Sequence, residues 1–557
     1  MKKENKIRID FHGYFDYYYL IKGTAIALGN MVDINDEEKV NIIIENIERN
    51  FGGIEYEIDI NFKSRIYDIE DNINELKRII EDYDSFEENK KIKLNSIFLF
   101  KQLYNIQCKK MEQNYLKIDA NKMNDYNINK CINDNINDIN SRYLLIATNP
   151  YLYPIIYQYI KLNNPYKQSI ILYEGSPFVN DNNDEYIYKK LTEIKEDIKE
   201  DKLIIIENLN QIHPYLYDLY GKNYQIIEEQ RYTKIYLDSF SQINNLVNDE
   251  IKIILLVDKR SYKYHALSFS NRFEKINLKF DNLLDNQLKM IARNLIDELE
   301  FKYVLERFKY IYYSLEDLLI NCREEDIKGL IYYCSQFLQL NKNDSDDEDF
   351  ENEKIDEKEL KEKVLDKIYK ILPQDIISIL PENNIIKIKY FNLKNIYNIN
   401  DYIKSEENKI HKISIIYTFT SLSNTIEGLS KNVCILISEI KSENDFKNII
   451  EDIKIKNGKL MNDDYICIHF VPSDSKKIKF ITNFILNTFK DDNYNYLIFL
   501  HINRNFDSRF SQKVYTLYDI NPDINQIFID NLFYNNHIRL NDLFKKNVDD
   551  ILKDYRE

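Results

Sequence analysis

Hydrophobic residues in this chain follow two rhythms, and the rhythm changes along its length. Near the start, Val40, Ile43 and Ile47 recur at spacings of three and four, which places them on one face of a helix over residues 36–49. Asp36 can cap that helix, and Arg49-Asn50-Phe51-Gly52-Gly53 ends it with two glycines. Residues 62–83 and 92–110 also read as helical. Residues 119–140, rich in Asn and Asp, read as a linker.

From residue 143 onward the apolar residues form short unbroken runs separated by helical stretches. The runs are Tyr143-Leu144-Leu145-Ile146-Ala147, Ser169-Ile170-Ile171-Leu172, Leu203-Ile204-Ile205-Ile206, and Ile251 to Val257. Between them lie a helical stretch with Tyr153, Ile156, Tyr157 and Ile160, a charged helix over about 184–200, and a helix with Tyr215, Leu216 and Leu219. Continuous apolar strands alternating with helices predict a parallel sheet covered on both faces. Residues 284–340 return to a helical rhythm, with Val304, Phe308, Ile311, Leu315 and Leu318 as a packing stripe. The run 342–363 is dense in charge and reads as a solvated linker. Alternation then resumes, with strands over 413–417, 433–438, 465–471 and 496–502. The expected organisation is a helical piece over 1–118, the linker 119–140, an α/β domain over 141–283, a helical domain over 284–341, the acidic linker 342–363, a helical connector over 364–409 and a second α/β domain over 410–557. The return of the same alternation suggests a weak internal repeat.

Composition narrows the function. The 557 residues include 76 Lys plus Arg against 92 Asp plus Glu, a formal charge of −16, which argues against a general nucleic-acid binder. Cys108, Cys131, Cys322, Cys334, Cys434 and Cys467 are scattered without C-x-x-C spacing, and the seven His residues are scattered too. That excludes a zinc finger or RING by spacing and points to a reducing compartment, so a cytoplasmic protein is expected. The N-terminus lacks the apolar core of a signal peptide, and the run Ile253 to Val257 is far shorter than the roughly 20 residues a membrane span needs.

Strand, helix, strand, helix and then a helical domain is the layout of an AAA+ module. Its first strand should lead into G-x-x-x-x-G-K-[ST], whose glycines let N–H groups converge on phosphate and whose Lys neutralises it. Here Ala147 leads into Thr148-Asn149-Pro150-Tyr151-Leu152-Tyr153, and Tyr417 leads into Thr418-Phe419-Thr420-Ser421-Leu422, without Gly or Lys in either. Only ten Gly occur in the whole chain. A working third strand ends in Asp-Glu for Mg²⁺ and water activation. This one ends in Glu207-Asn208, where Glu207 can still hold a cation but Asn208 cannot act as a carboxylate base. Arg272, within Asn271-Arg272-Phe273-Glu274-Lys275, is a candidate arginine finger or an interface ion-pair residue.

Several stretches together resemble the mysterin family, giant AAA+ RING E3 ubiquitin ligases with a dynein-like chain of six ATPase modules. Gly13 to Lys22 and Arg49 to Gly53 look like the helical lid of the fourth module. Arg142-Tyr143-Leu144-Leu145, Gly175-Ser176-Pro177-Phe178, Glu207-Asn208-Leu209, Leu216 to Tyr220, Val257-Asp258-Lys259 and Ser270 to Lys275 look like the fifth. Residues 410–545 look like the sixth.

The resemblance implies a fold of two degenerate AAA+ (P-loop NTPase-like) α/β modules with helical lid domains. Residues 1–118 then form a preceding module's lid and 284–341 the next lid. It also implies a non-catalytic segment that closes the ATPase arc of a ubiquitin ligase. Other parts of such a ligase are the expected partners, with the ubiquitin machinery engaged indirectly. Arg49 takes the place of a lid arginine able to touch nucleotide phosphates. No cofactor is expected in this chain itself, ATP and Mg²⁺ serving only where the rest of the ATPase supplies their site. The catalytic core of the fourth module, the RING and the zinc finger have no counterpart here, so a fragment is expected. The alternatives are a divergent ATPase with ATP hydrolysis activity and a free-standing interaction scaffold.

Overall fold

The computed structural model describes residues 14–29, 36–51, 55–58, 92–95, 128–164, 169–236, 242–262, 267–279, 281, 283–299, 324–343, 356–370, 399–404, 412–418, 420–428, 433–456, 465–471, 474, 477–489, 494–501, 524–529 and 532. The chain divides into two compact units. The first holds Met1–Gly175 and Asp184–Leu283, the second Ser176–Asn183 and Leu284–Glu557.

In the first unit, α1 (Tyr14–Gly29) packs against α2 (Asp36–Phe51). The strands β1 (Glu55–Ile58) and β2 (Ile92–Asn95) pair antiparallel, from Glu55↔Asn95 to Ile58↔Ile92. This corrects the helix expected over 92–110 at its first four residues, where Ile92-Lys93-Leu94-Asn95 alternates apolar and polar with the period of a strand. Residues 62–83 and 96–110 lie outside the described residues. The expected linker 119–140 is corrected as well, because Ile128–Asn137 forms helix α3. Ile128, Cys131, Ile132, Asn135 and Ile136 share its buried face, a helical stripe that the surrounding Asn and Asp obscure.

The main sheet comprises β3 (Tyr143–Thr148), β4 (Ile170–Glu174), β5 (Leu203–Glu207), β9 (Lys252–Asp258) and β10 (Phe273–Asn277), and a smaller antiparallel sheet of β6 (Gln225–Ile227), β7 (Gln230–Tyr236) and β8 (Gln242–Val247) lies between β5 and β9 in sequence. The main sheet is parallel throughout, in the order β10-β3-β9-β5-β4. Every residue of β3 and β5 is buried, as continuous apolar strands require when helices cover both faces. Helices α4 (Tyr153–Asn163) and α5 (Asp184–Asp197) supply part of that cover; the stretch expected as a helix around Tyr215 is a 3₁₀ segment, Asn210–Leu216, running into a single α-turn, Tyr217–Tyr220.

The edge strand β10 carries two consecutive buried charges, Glu274 and Lys275. Neighbouring strand residues point to opposite faces, so the two charges need separate partners. Lys275 Nζ binds Asp16 Oδ2 of α1 at 2.8 Å, with both side chains fully buried. Asp16 Oδ1 also accepts from Arg142 Nη2 at 2.8 Å, and Arg142 donates further to Asn50 Oδ1 and to the Asn271 carbonyl. Glu274 Oε1 pairs with Arg49 Nη2 of α2 at 3.0 Å, while Asn135 donates to Glu274 Oε2. Arg49 Nη1 reaches Asp138 at 3.0 Å. Each of the two N-terminal helices is therefore tied to the edge strand by a buried ion pair. They also cover a sheet edge that would otherwise be open to pairing. Lys252, at the start of β9, is held differently: its ammonium donates to the Asp138 carbonyl at 2.5 Å and to Ser141 Oγ at 2.6 Å.

The second unit contains α6 (Asn286–Leu299), α7 (Glu324–Asn343), α8 (Glu357–Lys370) and α9 (Ile399–Lys404), followed by a second sheet. Helix α8 corrects the acidic linker 342–363 from residue 357 onward: Leu360, Val364 and Ile368 recur every four residues and are fully buried beneath the charged face. The stripe Val304 to Leu318 lies outside the described residues. The second sheet contains β11 (Ile413–Thr418), β12 (Val433–Leu436), β13 (Tyr465–Phe470), β14 (Asn495–His501) and β15 (Ile524–Phe528), with α10 (Leu422–Gly428), α11 (Glu443–Lys456) and α12 (Ile478–Thr488) between strands. It is parallel, in the order β12-β13-β14-β11-β15. Asp181 Oδ2 accepts the backbone N–H of Glu443 at 2.8 Å, within the first turn of α11. Counted within each unit, both sheets run in the order fifth, first, fourth, third, second. The repeat suggested by the alternation is thus a repeat of topology. Among the described residues no helix is long and apolar enough to cross a membrane.

Replacing Asp16 by Ala strands two buried cations, and is expected to cost the first unit about 3–5 kcal/mol in denaturant unfolding. Burial pushes Lys252 down to about 7, with the Lys222 charge adding to it. The unfolded chain then binds more protons than the native state between about pH 7 and the ordinary lysine value. Stability of the first unit should rise with pH through that window, by at most on the order of 5 kcal/mol, and Lys252→Met should flatten the rise.

Candidate functional site

In an open parallel sheet, ligands bind beyond the carboxyl ends of the strands, where neighbouring strands send their connections in opposite directions. In the order found here, that point lies between the first and fourth strands. In the first unit it is the register pair Thr148↔Asp258. In the second unit it is Thr418↔His501.

At the first point, the turn after β3 runs Asn149-Pro150-Tyr151-Leu152 into α4. Pro150 and Pro154 have no N–H to offer. The Leu152 N–H is donated to the Asn149 carbonyl at 2.9 Å, and the Tyr153 N–H to the Pro150 carbonyl. Thr148 Oγ1 donates to the Leu278 carbonyl at 2.9 Å. The Tyr153 side chain is buried here. Burial, with the Glu207 and Asp258 carboxylates adding to it, holds its phenol well above the usual tyrosine value.

Glu207, the expected remnant of a magnesium strand, ends β5 and is buried. Asn208 follows in the left-handed region, at φ 54°. Asn tolerates that conformation better than most residues. The adjoining β4 end approaches closely: the Gly175 N–H donates to the Glu207 carbonyl at 2.9 Å, and a Cβ on Gly175 would stand 2.0 Å from the Asn208 carbonyl oxygen. These two residues shape the turn together.

The two arginines singled out in the sequence sit elsewhere. Arg49 is in the ion-pair cluster around β10, where burial opposes its charge but Glu274 and Asp138 outweigh it and raise its pKa. Arg272 lies over the Tyr217 ring at 4.3 Å, and its Nη1 donates to the Tyr217 carbonyl at 3.1 Å. Gly221 makes room for it, since a Cβ there would stand 2.2 Å from Nη1. Neither arginine is brought together with Glu207 by any of these contacts.

The second point holds a set of residues that the sequence reading passed over. His501 Nδ1 is 2.8 Å from the Thr420 carbonyl, and His501 Nε2 is 3.2 Å from His469 Nδ1. A carbonyl only accepts, so His501 carries its proton on Nδ1. Burial lowers the His501 pKa to about 4, the Thr420 bond opposing and His469 adding, which leaves Nε2 bare to accept from His469 Nδ1–H. The hydroxyls of the turn after β11 are engaged: the Thr420 N–H donates to Thr418 Oγ1, and the N–H of the distant Leu532 to Thr420 Oγ1.

Register makes the two points equivalent. Two residues before Asp258, Leu256 pairs with Glu207; two residues before His501, Phe499 pairs with His469. Glu207 and Asp258 in one unit thus correspond to His469 and His501 in the other. Among the described residues no group of three or more His, Cys, Asp or Glu is placed to hold a metal ion.

The strand order and the helical cover define two α/β modules of AAA+ type. Residues 133–284 match the family model described as the RNF213 AAA domain. The chain is also similar to the E3 ubiquitin-protein ligase RNF213 of Homo sapiens, at 26% identity over 159 residues, which cover 28% of this chain and 3% of that protein. Over these residues the chain is similar to the RNF213, or mysterin, family. The matched stretch falls on the first α/β module; the likenesses read for residues 13–53 and 410–545 lie beyond it.

Gly175→Ala forces a side-chain atom into backbone and is expected to cost about 1–3 kcal/mol in the unfolding of the first unit. Asn208→Gly, at a left-handed position, should change stability by less than about 1 kcal/mol in the same measurement.

Proposed function

We propose that this chain is a non-catalytic AAA+ segment of an RNF213-like ubiquitin ligase, in which both α/β modules serve as structural parts of the ATPase arc. One observation carries the reading: the turn Asn149–Tyr153 stands where a phosphate loop belongs, and it turns its donors inward. One of its positions is proline and a second proline follows it, two of its N–H groups are spent on its own carbonyls, and the buried Tyr153 phenol feels the Glu207 and Asp258 carboxylates. A triphosphate needs converging N–H donors and a cation, and it would meet negative charge here instead. In the turn after β11 the Thr420 N–H is likewise spent on Thr418 Oγ1, and Thr420 Oγ1 accepts from Thr418 Oγ1 and from the Leu532 N–H.

On this reading Glu207 and Asn208 are remnants of a magnesium strand kept for the shape of the turn. Arg49 serves the packing of α2 on the sheet edge, and Arg272 the packing of its own module. The partners are other parts of the ligase, which supply ATP and Mg²⁺ binding and the ubiquitin-transfer chemistry, in the cytoplasm. The acidic net charge and the absence of a basic stripe in the sequence argue against nucleic acid as a partner.

Isothermal titration of the whole chain with ATP and Mg²⁺ tests the proposal. A trace without saturable heat up to millimolar nucleotide is expected. Saturable micromolar binding that Glu207→Gln weakens would overturn it in favour of a divergent ATPase.

A further inference from the structure

Two cysteines stand side by side in the second sheet. Cys434 on the edge strand β12 is in direct register with Cys467 on β13, and the two are not joined by a disulfide. In-register Cα atoms of neighbouring strands are about 4.8 Å apart, inside the window of roughly 4.4–6.8 Å that a disulfide spans. Cys467 is fully buried, whereas Cys434 is partly exposed at the sheet edge. His469 follows Cys467 by two residues and therefore shares its face. The proton order set by Thr420 and His501 puts a proton on His469 Nδ1, and the other ring nitrogen, Nε2, is turned away from His501. That nitrogen is buried, and the Cys434 thiol lies within hydrogen-bonding reach of the ring.

We propose that Cys434 and Cys467 are a hydroperoxide-sensitive dithiol, with Cys434 the sulfur oxidised first, Cys467 the sulfur that closes the disulfide, and His469 the proton acceptor. The observations behind it are the register of the pair, the exposure of one thiol only, and the base on the same face. The electrostatics agree. The hydrogen bond with Cys467 lowers the Cys434 thiol to about 5, burial opposing and the nearby His469 adding, while the hydrogen bond with Cys434 and burial raise Cys467 well above its usual value. One thiol is set to attack and the other to stay protonated until it is needed.

The chemistry balances without a metal. His469 takes the Cys434 proton, and the thiolate attacks the terminal oxygen of the hydroperoxide. An S–O bond forms, the O–O bond breaks, and the departing alkoxide takes the proton from His469. Cys467 then attacks the sulfenic sulfur of Cys434. The S–S bond forms, the S–O bond breaks, and the hydroxide leaves as water with the Cys467 proton. The two sulfurs give up two electrons, which reduce one peroxide to one alcohol and one water. This assignment is independent of the scaffold reading, since it asks nothing of nucleotide binding.

The test is peptide mass spectrometry of the whole chain after brief exposure to hydrogen peroxide, without reductant. A cross-linked pair of peptides carrying Cys434 and Cys467, two hydrogens lighter than the sum of the free peptides, is expected. Cys467→Ser should accumulate a dimedone-trapped sulfenic acid at Cys434, and Cys434→Ser should leave Cys467 unmodified. Alkylation by iodoacetamide should show a pH midpoint for Cys434 near 5, moved up by at least about one pH unit in His469→Asn. Cys334, whose buried thiol is pushed up to about 11, is the internal control. Absence of the cross-link, or a Cys434 midpoint at or above about 8 in a chain whose circular dichroism is unchanged, overturns the proposal.

Discussion

The first unit depends on a problem of buried charge. An edge strand that carries Glu274 and Lys275 side by side cannot be buried at all unless both find partners, because an unpaired buried ion costs several kcal/mol. The partners come from helices far earlier in the chain, Asp16 from α1 and Arg49 from α2. The helices gain little from these pairs in net stability, since desolvation offsets most of the attraction. What the pairs supply is uniqueness: a shift of β10 by one residue would present each charge to the wrong face and leave both unpaired. Asn135, Asn50 and Asn271 complete the arrangement by accepting or donating at the remaining positions.

The two sheets share an order of strands but not a chemistry at the place that order favours for ligands. Parallel register matches Glu207 and Asp258 of one with His469 and His501 of the other. A nucleotide site built on this topology would need similar groups at both points. Carboxylates near a buried phenol in one and a pair of histidines in the other show that the shared constraint is packing. The continuous apolar strands beneath, from Leu203 to Ile206 and from Tyr496 to Leu500, are buried alike in both.

The eight apolar runs read from the sequence all became strands, because a strand buried on both faces must be apolar at every position. The strands that were missed break that rule for identifiable reasons. β10 has charges at its centre, neutralised by residues more than two hundred positions away, which no local pattern reveals. The hairpin of β6 and β7 turns through Glu228 and Glu229, both at positive φ, 51° and 65°. A two-residue turn of that kind is normally announced by Asn-Gly. Two glutamates give no such sign, and β6 is exposed along its length. In α3 and α8 the apolar stripe was present but diluted by Asn or by charge, so that composition outweighed periodicity.

The candidate site was legible only where chemistry and chain order coincide. Glu207-Asn208 stood out because a strand end followed by an acidic residue is a local signal. Its meaning changed once the backbone was in view, because Asn208 at positive φ and Gly175 against its carbonyl make the pair a matter of turn geometry. His469 and His501 are 32 residues apart, and Cys434 and Cys467 are 33 apart, with no motif spacing between them. Only the strand order β12-β13-β14 brings these four side by side. A search by spacing looks for ligands that share a loop or a helix turn, whereas a parallel sheet gathers residues across crossover connections whose lengths are set by the helices between them. The signal that could have found them is the predicted topology itself: once the second sheet is given the order of the first, the ends of its third and fourth strands become neighbours, and their histidines stand out.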